Sequence, residues 1–368
     1  MNKKILAVML TLVMVVSMFT GCGKKDSTYF KEVKEMCKIQ TGTQTVEMNL
    51  TYKGDELGEA AQFVADAEGN AVISIKVEGT VESVTKQAAK IMAKLGTDAD
   101  YTELTTIILD GKKLYVTIDP IIAFVKKIDE ASATQIETAL ASIGVTGTVS
   151  IDYGQLLEAM GQKDFEITED MKKSAYDLIE TFMDALEKNF KDLEGEDGDD
   201  YTLTINGDNA DKAVTGLANF CKNDMKGLVE KLSAFMADFY GEDSTIYASA
   251  KESCDEIANN GADIATSIEE GKVDFVKTIK DNKLNIVSKA SVSGSEGKRE
   301  AKLTIETGDV TVEDQMFNVN MKAEMKEGTP SISEMIPENA SDLTTMLIAM
   351  MNQMSQSGVD SEGYTDSY

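Results

Sequence analysis

The chain has 368 residues, 64 of them acidic and 36 basic, for a net charge of −28 at neutral pH. At 42% apolar and 27% charged residues it has a globular composition, neither disordered nor collagen-like. Histidine and tryptophan are absent, which excludes Ser-His, Cys-His and His-metal chemistry, and the negative field argues against nucleic acid as a partner.

Residues 1–22 carry a basic pair, Lys3 and Lys4, then an apolar run over 5–16 broken only by Thr11. Ser17, Thr20 and Gly21 are small residues leading into Cys22. The run is shorter than the roughly 20 residues a membrane-spanning helix needs, so it predicts an export signal. Phe19-Thr20-Gly21-Cys22 resembles the lipobox of bacterial lipoproteins, with Phe19 where leucine is usual. The resemblance covers these 22 residues. It implies that Cys22 becomes the lipidated first residue of the mature chain. The body would then lie outside the cytoplasm, held to the membrane by its acyl chains at about 0.8 kcal/mol per buried CH₂. Residues 22–28 form a short tether, and anionic headgroups repel an acidic body.

A short helix is expected over 29–39. Residues 45–53 alternate strictly, with Val46, Met48, Leu50 and Tyr52 on one face of a strand. A weaker strand at 59–66 and a turn at Gly69-Asn70 precede a second alternating strand over 71–81, with Ile73, Ile75 and Val77 inward and Ser74 outward. Residues 86–95 read as a short helix ending at Gly96. Strands at 102–109 and 112–119 flank Asp110-Gly111, a strong hairpin signal. Asp119-Pro120 opens a helix, a turn near Ser132 begins another that ends at Gly144, and 146–152 is a strand. A helical middle follows. Its stripes run from Met171 to Leu193, from Leu217 to Phe239, from Ile246 to Ile257 and over 263–280. An acidic loop, 195–200, and a strand, 201–205, interrupt it. Strands at 284–292, 301–306 and 317–325, a Met-rich helix at 341–354 and a polar tail at 355–368 complete the chain.

Strands gather at both ends and helices in the middle, which predicts an α+β fold: a large curved antiparallel sheet covered by amphipathic helices. The layout resembles the half-barrel lipoproteins, the LolA-like and LppX-like carriers of lipids, over roughly residues 40–330. Residues 29–354 form one domain in this reading. The rival layout is two domains split near 195–200.

A search for catalytic chemistry finds little. Ser83 with Lys86 and Ser295 with Lys298 have S-x-x-K spacing, but S-D-N and K-T-G partners are missing. The acids around Asp197 and Asp199 fail the EF-hand template at Tyr201 and Thr202. No Walker A loop is present, and no cofactor is implied. Cys221 and Cys254 fall too far apart in a helical hairpin to be bridged, and are expected as free thiols. Methionine is abundant, with Met346, Met350 and Met354 in line on the last helix, a pattern that suits either an irregular core or an adaptable pocket.

Two functions follow. The first is a non-catalytic, membrane-anchored extracytoplasmic lipoprotein that binds a lipid or other hydrophobic small molecule between sheet and helices. Its site would be lined by Met48, Leu50, Ile73, Ile75, Leu303, Val319 and Met321. The second is a structural or interaction module of the cell envelope with a filled core. A cavity of several hundred Å³ in the interlayer favours the first, and tight packing favours the second.

Overall fold

A computed structural model describes residues 28–53, 71–96, 99–159, 168–242, 244–312 and 315–356. The export signal with Cys22, the strand expected at 59–66, the Gly69-Asn70 turn and nearly all of the polar tail lie outside these residues.

The first described element is α1 (Tyr29–Met36), followed by β1 (Gly42–Lys53), β2 (Ala71–Ser83), β3 (Lys86–Leu95), β4 (Thr102–Asp110) and β5 (Lys113–Thr117). Next come α2 (Asp119–Ile128), α3 (Glu130–Ser142), β6 (Thr148–Asp152), α4 (Tyr153–Ala159) and α5 (Glu169–Phe190). A hairpin of β7 (Glu194–Asp197) and β8 (Asp200–Ile205) leads to α6 (Ala210–Asn223), α7 (Met225–Tyr240), α8 (Thr245–Glu270) and α9 (Lys272–Asp281). The chain then forms β9 (Ile286–Ser293), β10 (Glu300–Glu306), β11 (Val310–Val312), β12 (Gln315–Glu327), β13 (Ser341–Asp342) and α10 (Thr344–Gln356). The strand order is β13-β6-β5-β4-β3-β2-β1-β12-β10-β9-β8-β7, with β11 paired to β12. The sheet is mostly antiparallel and does not close into a barrel, so the fold is α+β as expected.

By its contacts the chain forms two compact units. One holds the described residues of Met1–Lys76, Lys94–Asp100 and Ile167–Thr329, the other those of Val77–Ala93, Tyr101–Glu166 and Pro330–Tyr368. Neither boundary falls at 195–200. Those residues are not a loop: β7 pairs with β8 across a Gly198-Asp199 turn, and Gly198 takes the positive φ of +68° the turn needs.

In the first unit the helices pack on one face of β8, β9, β10, β12 and β1. Thr28 caps α1 by accepting from the Lys31 N–H, and Thr168 caps α5 by accepting from the Met171 N–H. Tyr29, Phe30, Val33 and Met36 of α1 join Met183 and Leu186 of α5, Val214 and Leu217 of α6, and Leu303 and Ile305 of β10 in one buried core. The long helix expected over 217–239 is two helices. They meet at Asp224, whose carboxylate accepts from Lys188 and Asn189 of α5 and fixes the break.

Residues 86–95, which belong to the second unit as far as Ala93, are a strand and not the expected helix. Their helix-forming Ala, Lys and Met are overridden by pairing with β4 from Lys86↔Asp110 to Ala93↔Thr102. Leu104 is bulged out of that ladder, between the pairs Ile91↔Thr105 and Met92↔Glu103. The hairpin of β4 and β5 forms, but its two-residue loop is Gly111 (φ +64°) and Lys112, one residue later than the expected Asp110-Gly111, because Asp110 pairs with Lys113. Pro120 opens α2 as expected, while α3 already begins at Glu130, ahead of the turn expected near Ser132, with Asp129 capping it by accepting from the Ala131 and Ser132 N–H groups. Ala88 and Ile108 pack under Ile332, whose N–H donates to Glu82 Oε2 at 2.9 Å. The helix expected over 341–354 starts later, at Thr344, because Ser341 and Asp342 pair in parallel with Val149 and Ser150.

Candidate functional site

Directly opposed residues of an antiparallel pair point to the same side of a sheet. The register of the first unit therefore draws rows across its helix-facing side. One row is Val46, Ala323, Leu303, Ala290 and Tyr201, and the next is Met48, Met321, Ile305, Ser288 and Leu203. Beyond them Leu50 lies opposite Val319. This is the apolar face on which a hydrophobic ligand is expected, and β1, β10 and β12 carry it in the expected phase.

The structure treats the seven expected lining residues differently. Leu303 is fully buried among helix side chains, inside a packed core. Met321 is half-buried against that core, next to Met48. Met48, Val319, Ile73 and Ile75 are half-buried, and Leu50 is 36% exposed. Ile73 and Ile75 stand on β2, the neighbour of β1 in strand order. There Ser74, expected to face water, is 3% exposed, so the simple in-out alternation fails at this position.

Polar groups that the alternation pattern does not flag fasten α1 over this face. The Tyr29 hydroxyl lies 2.6 Å from Ser288 Oγ, and Ser288 in turn donates to the Thr304 carbonyl at 3.2 Å. Burial pushes the Tyr29 phenol up to about 12. Glu32, itself buried, accepts the Val292 N–H at 2.8 Å. Glu194 accepts the Phe30 N–H at 3.2 Å, while burial holds its carboxyl above the ordinary value. Lys34 bridges to Asp184 and Glu187 of α5. The only arginine, Arg299, sits between Glu327, at 3.1 Å, and Glu35, at 3.6 Å. Neither Tyr29 nor Arg299 is singled out in the sequence as a site residue; that Arg299 is the lone arginine is the one signal that could have drawn attention to it.

Cys37, Cys221 and Cys254 are free thiols, as expected for the last two. Burial pushes the thiol of Cys37 up to about 12 and that of Cys221 to about 11, which suppresses thiolate formation. Both S-x-x-K matches fall in hairpin turns, and Lys86 lies near the Glu82 and Asp110 carboxylates. Asp197, from the acidic segment, pairs with Lys289 at 2.6 Å. Among the described residues no group of three or more Cys, Asp or Glu side chains is arranged to hold a metal ion, and no helix is long and apolar enough to cross a membrane. No family model, curated protein or solved structure matches the chain.

Proposed function

We propose that the chain is a non-catalytic lipoprotein of the bacterial cell envelope. It would be exported, acylated at Cys22, and act as an interaction module whose sheet-helix interlayer is a filled core. The carrying observation is Leu303. It is fully buried at the centre of the face where a ligand was expected, and side chains of α1, α5 and α6 occupy the space above the sheet. A ligand there would have to displace well-packed side chains. The acidic exterior is then the working surface toward other envelope components.

One observation favours the carrier reading in a reduced form. Leu50, 36% exposed, lies opposite half-buried Val319 and continues the apolar face. A hydrophobic ligand would lie on that strip with Met48.

Native mass spectrometry of detergent-extracted protein separates the two. The expected species is the chain from Cys22 with covalent acyl chains and no further lipid. Cys22→Ser should leave the protein unacylated and unbound to membranes. A stoichiometric non-covalent lipid on the wild-type species would replace the filled-core reading with the carrier one. Membrane retention of Cys22→Ser without unprocessed protein would overturn the lipoprotein reading itself.

A further inference from the structure

In the second unit α2 and α3 enclose a cleft of about 380 Å³ with the loop that follows α3. Small-ligand sites begin at about 300 Å³. Its walls are Ile118, Ile122, Leu140 and Val145. One end is rigidly built. The Ile118 N–H donates to the Gly147 carbonyl at 2.8 Å, and the Gly147 N–H donates back to Asp119 Oδ1 at 3.1 Å. Gly147 has φ +71°, a conformation that favours glycine, so this reciprocal pair constrains the sequence. Asp119 Oδ2 makes no hydrogen bond among the described residues.

Lys126 and Glu137 also line the cleft, and both are exposed. Neither has a hydrogen-bond or ion-pair partner among the described residues. Asp119 and Lys126 are seven residues apart on α2, which puts their backbones about 10 Å apart along the axis.

We propose that this cleft binds a short apolar peptide with free termini. Its ammonium would meet Asp119 Oδ2, its carboxylate Lys126, and its aliphatic side chains the Ile118, Ile122, Leu140 and Val145 wall. Charge and length select this ligand together. A fatty acid brings only an anion, which leaves Asp119 without a cation. A simple amine leaves Lys126 unpaired. Three extended residues span about 10 Å, which matches the backbone separation of Asp119 and Lys126. This inference goes beyond the filled-core reading and does not depend on the lipid anchor.

The test is isothermal titration of the full chain with leucyl-alanyl-leucine, its N-acetyl form, its C-terminal amide and decanoate. The free peptide should bind, and each blocked form should bind about tenfold more weakly, since each loses a charge-assisted contact. Asp119→Asn keeps an oxygen for the Gly147 N–H but removes the charge. It should weaken the free peptide about tenfold and leave the N-acetyl form unchanged. Lys126→Gln should do the same for the free peptide against the amide. Ala123→Phe, at an exposed lining position, should fill the cleft and abolish binding while the melting temperature is kept. Absence of heat with the free peptide, blocked forms that bind as tightly as the free peptide, or tighter binding of decanoate would each overturn the proposal.

Discussion

Tyr29 carries more than its size suggests, because its ring and its hydroxyl serve different partners. The ring is fully buried and meets Phe30 edge-on at 5.3 Å between centroids, while the hydroxyl meets Ser288. Tyr29→Phe removes one hydrogen bond and leaves Ser288 its bond to Thr304, so the expected loss is about 1 kcal/mol. Tyr29→Ala also empties the core and should cost about 3–5 kcal/mol. Urea unfolding of the two variants checks the ratio, and similar losses would mean the ring contributes little. Glu82 makes a pH-dependent counterpart in the second unit. The Ile332 N–H holds its carboxyl below the ordinary glutamate value of 4.5, helped by Lys86. A depressed carboxyl contributes stability above its ordinary value and loses it as pH falls through the folded value. Protection of the Ile332 amide from exchange, corrected for intrinsic rates, should therefore fall on acidification below about pH 4.5. In Glu82→Gln the protection should be lower at neutral pH and flat with pH. An identical acid response in that variant would assign the effect to another group.

Helix contacts in the first unit are set by glycines that carry no side chain into them. A Cβ on Gly216 of α6 would lie 2.5 Å from the Asn189 carbonyl oxygen and 3.0 Å from the Phe190 ring. Gly216→Ala must push α6 from α5 and should cost about 1–3 kcal/mol. Gly227 on α7 has nothing within 4 Å of that position, so Gly227→Ala should stabilise by about 0.4–1 kcal/mol. Denaturant midpoints moving in opposite directions are the expected result, and movement in the same direction would break the packing account. Alternation made β1, β10 and β12 legible, because a strand's own side chains record which face is wet. The hairpin at Gly111 and the Pro120 helix start were legible for the same local reason. β3 was not, since residues 86–95 suit a helix and only the ladder with β4 makes them a strand. The acidic β7 failed likewise, its charges masking an edge strand that pairs with β8. The site followed the same division. The sequence placed Leu303 and Met321 on the inner face, but the filling of the space above Leu303 depends on Tyr29, Phe30, Met183 and Leu186, residues up to 274 positions away by number.

At the scale of the whole chain, 64 acids against 36 bases make self-repulsion the dominant long-range force at neutral pH. Many acids lack a base to neutralise them, and pairs such as Lys251–Asp255 and Lys226–Glu230 are exposed and individually weak. The chain also exposes apolar side chains, among them Val273 at 79%, Met350 at 52% and Ile143 at 50%. Repulsion keeps such groups apart as long as the carboxylates are ionised. Protonation toward the isoelectric point of about 4.4 removes the net charge, and apolar contact between copies is then unopposed. Static light scattering at fixed ionic strength should stay low from pH 8 to about 6 and rise toward pH 4.5. Below about pH 3.5 most carboxylates are neutral while the lysines remain charged, so the chain becomes a cation and scattering should fall again. That reversal separates charge control from acid unfolding. Scattering that keeps rising below pH 3.5 would assign the association to unfolded chain, and scattering that stays flat throughout would show that net charge does not govern it.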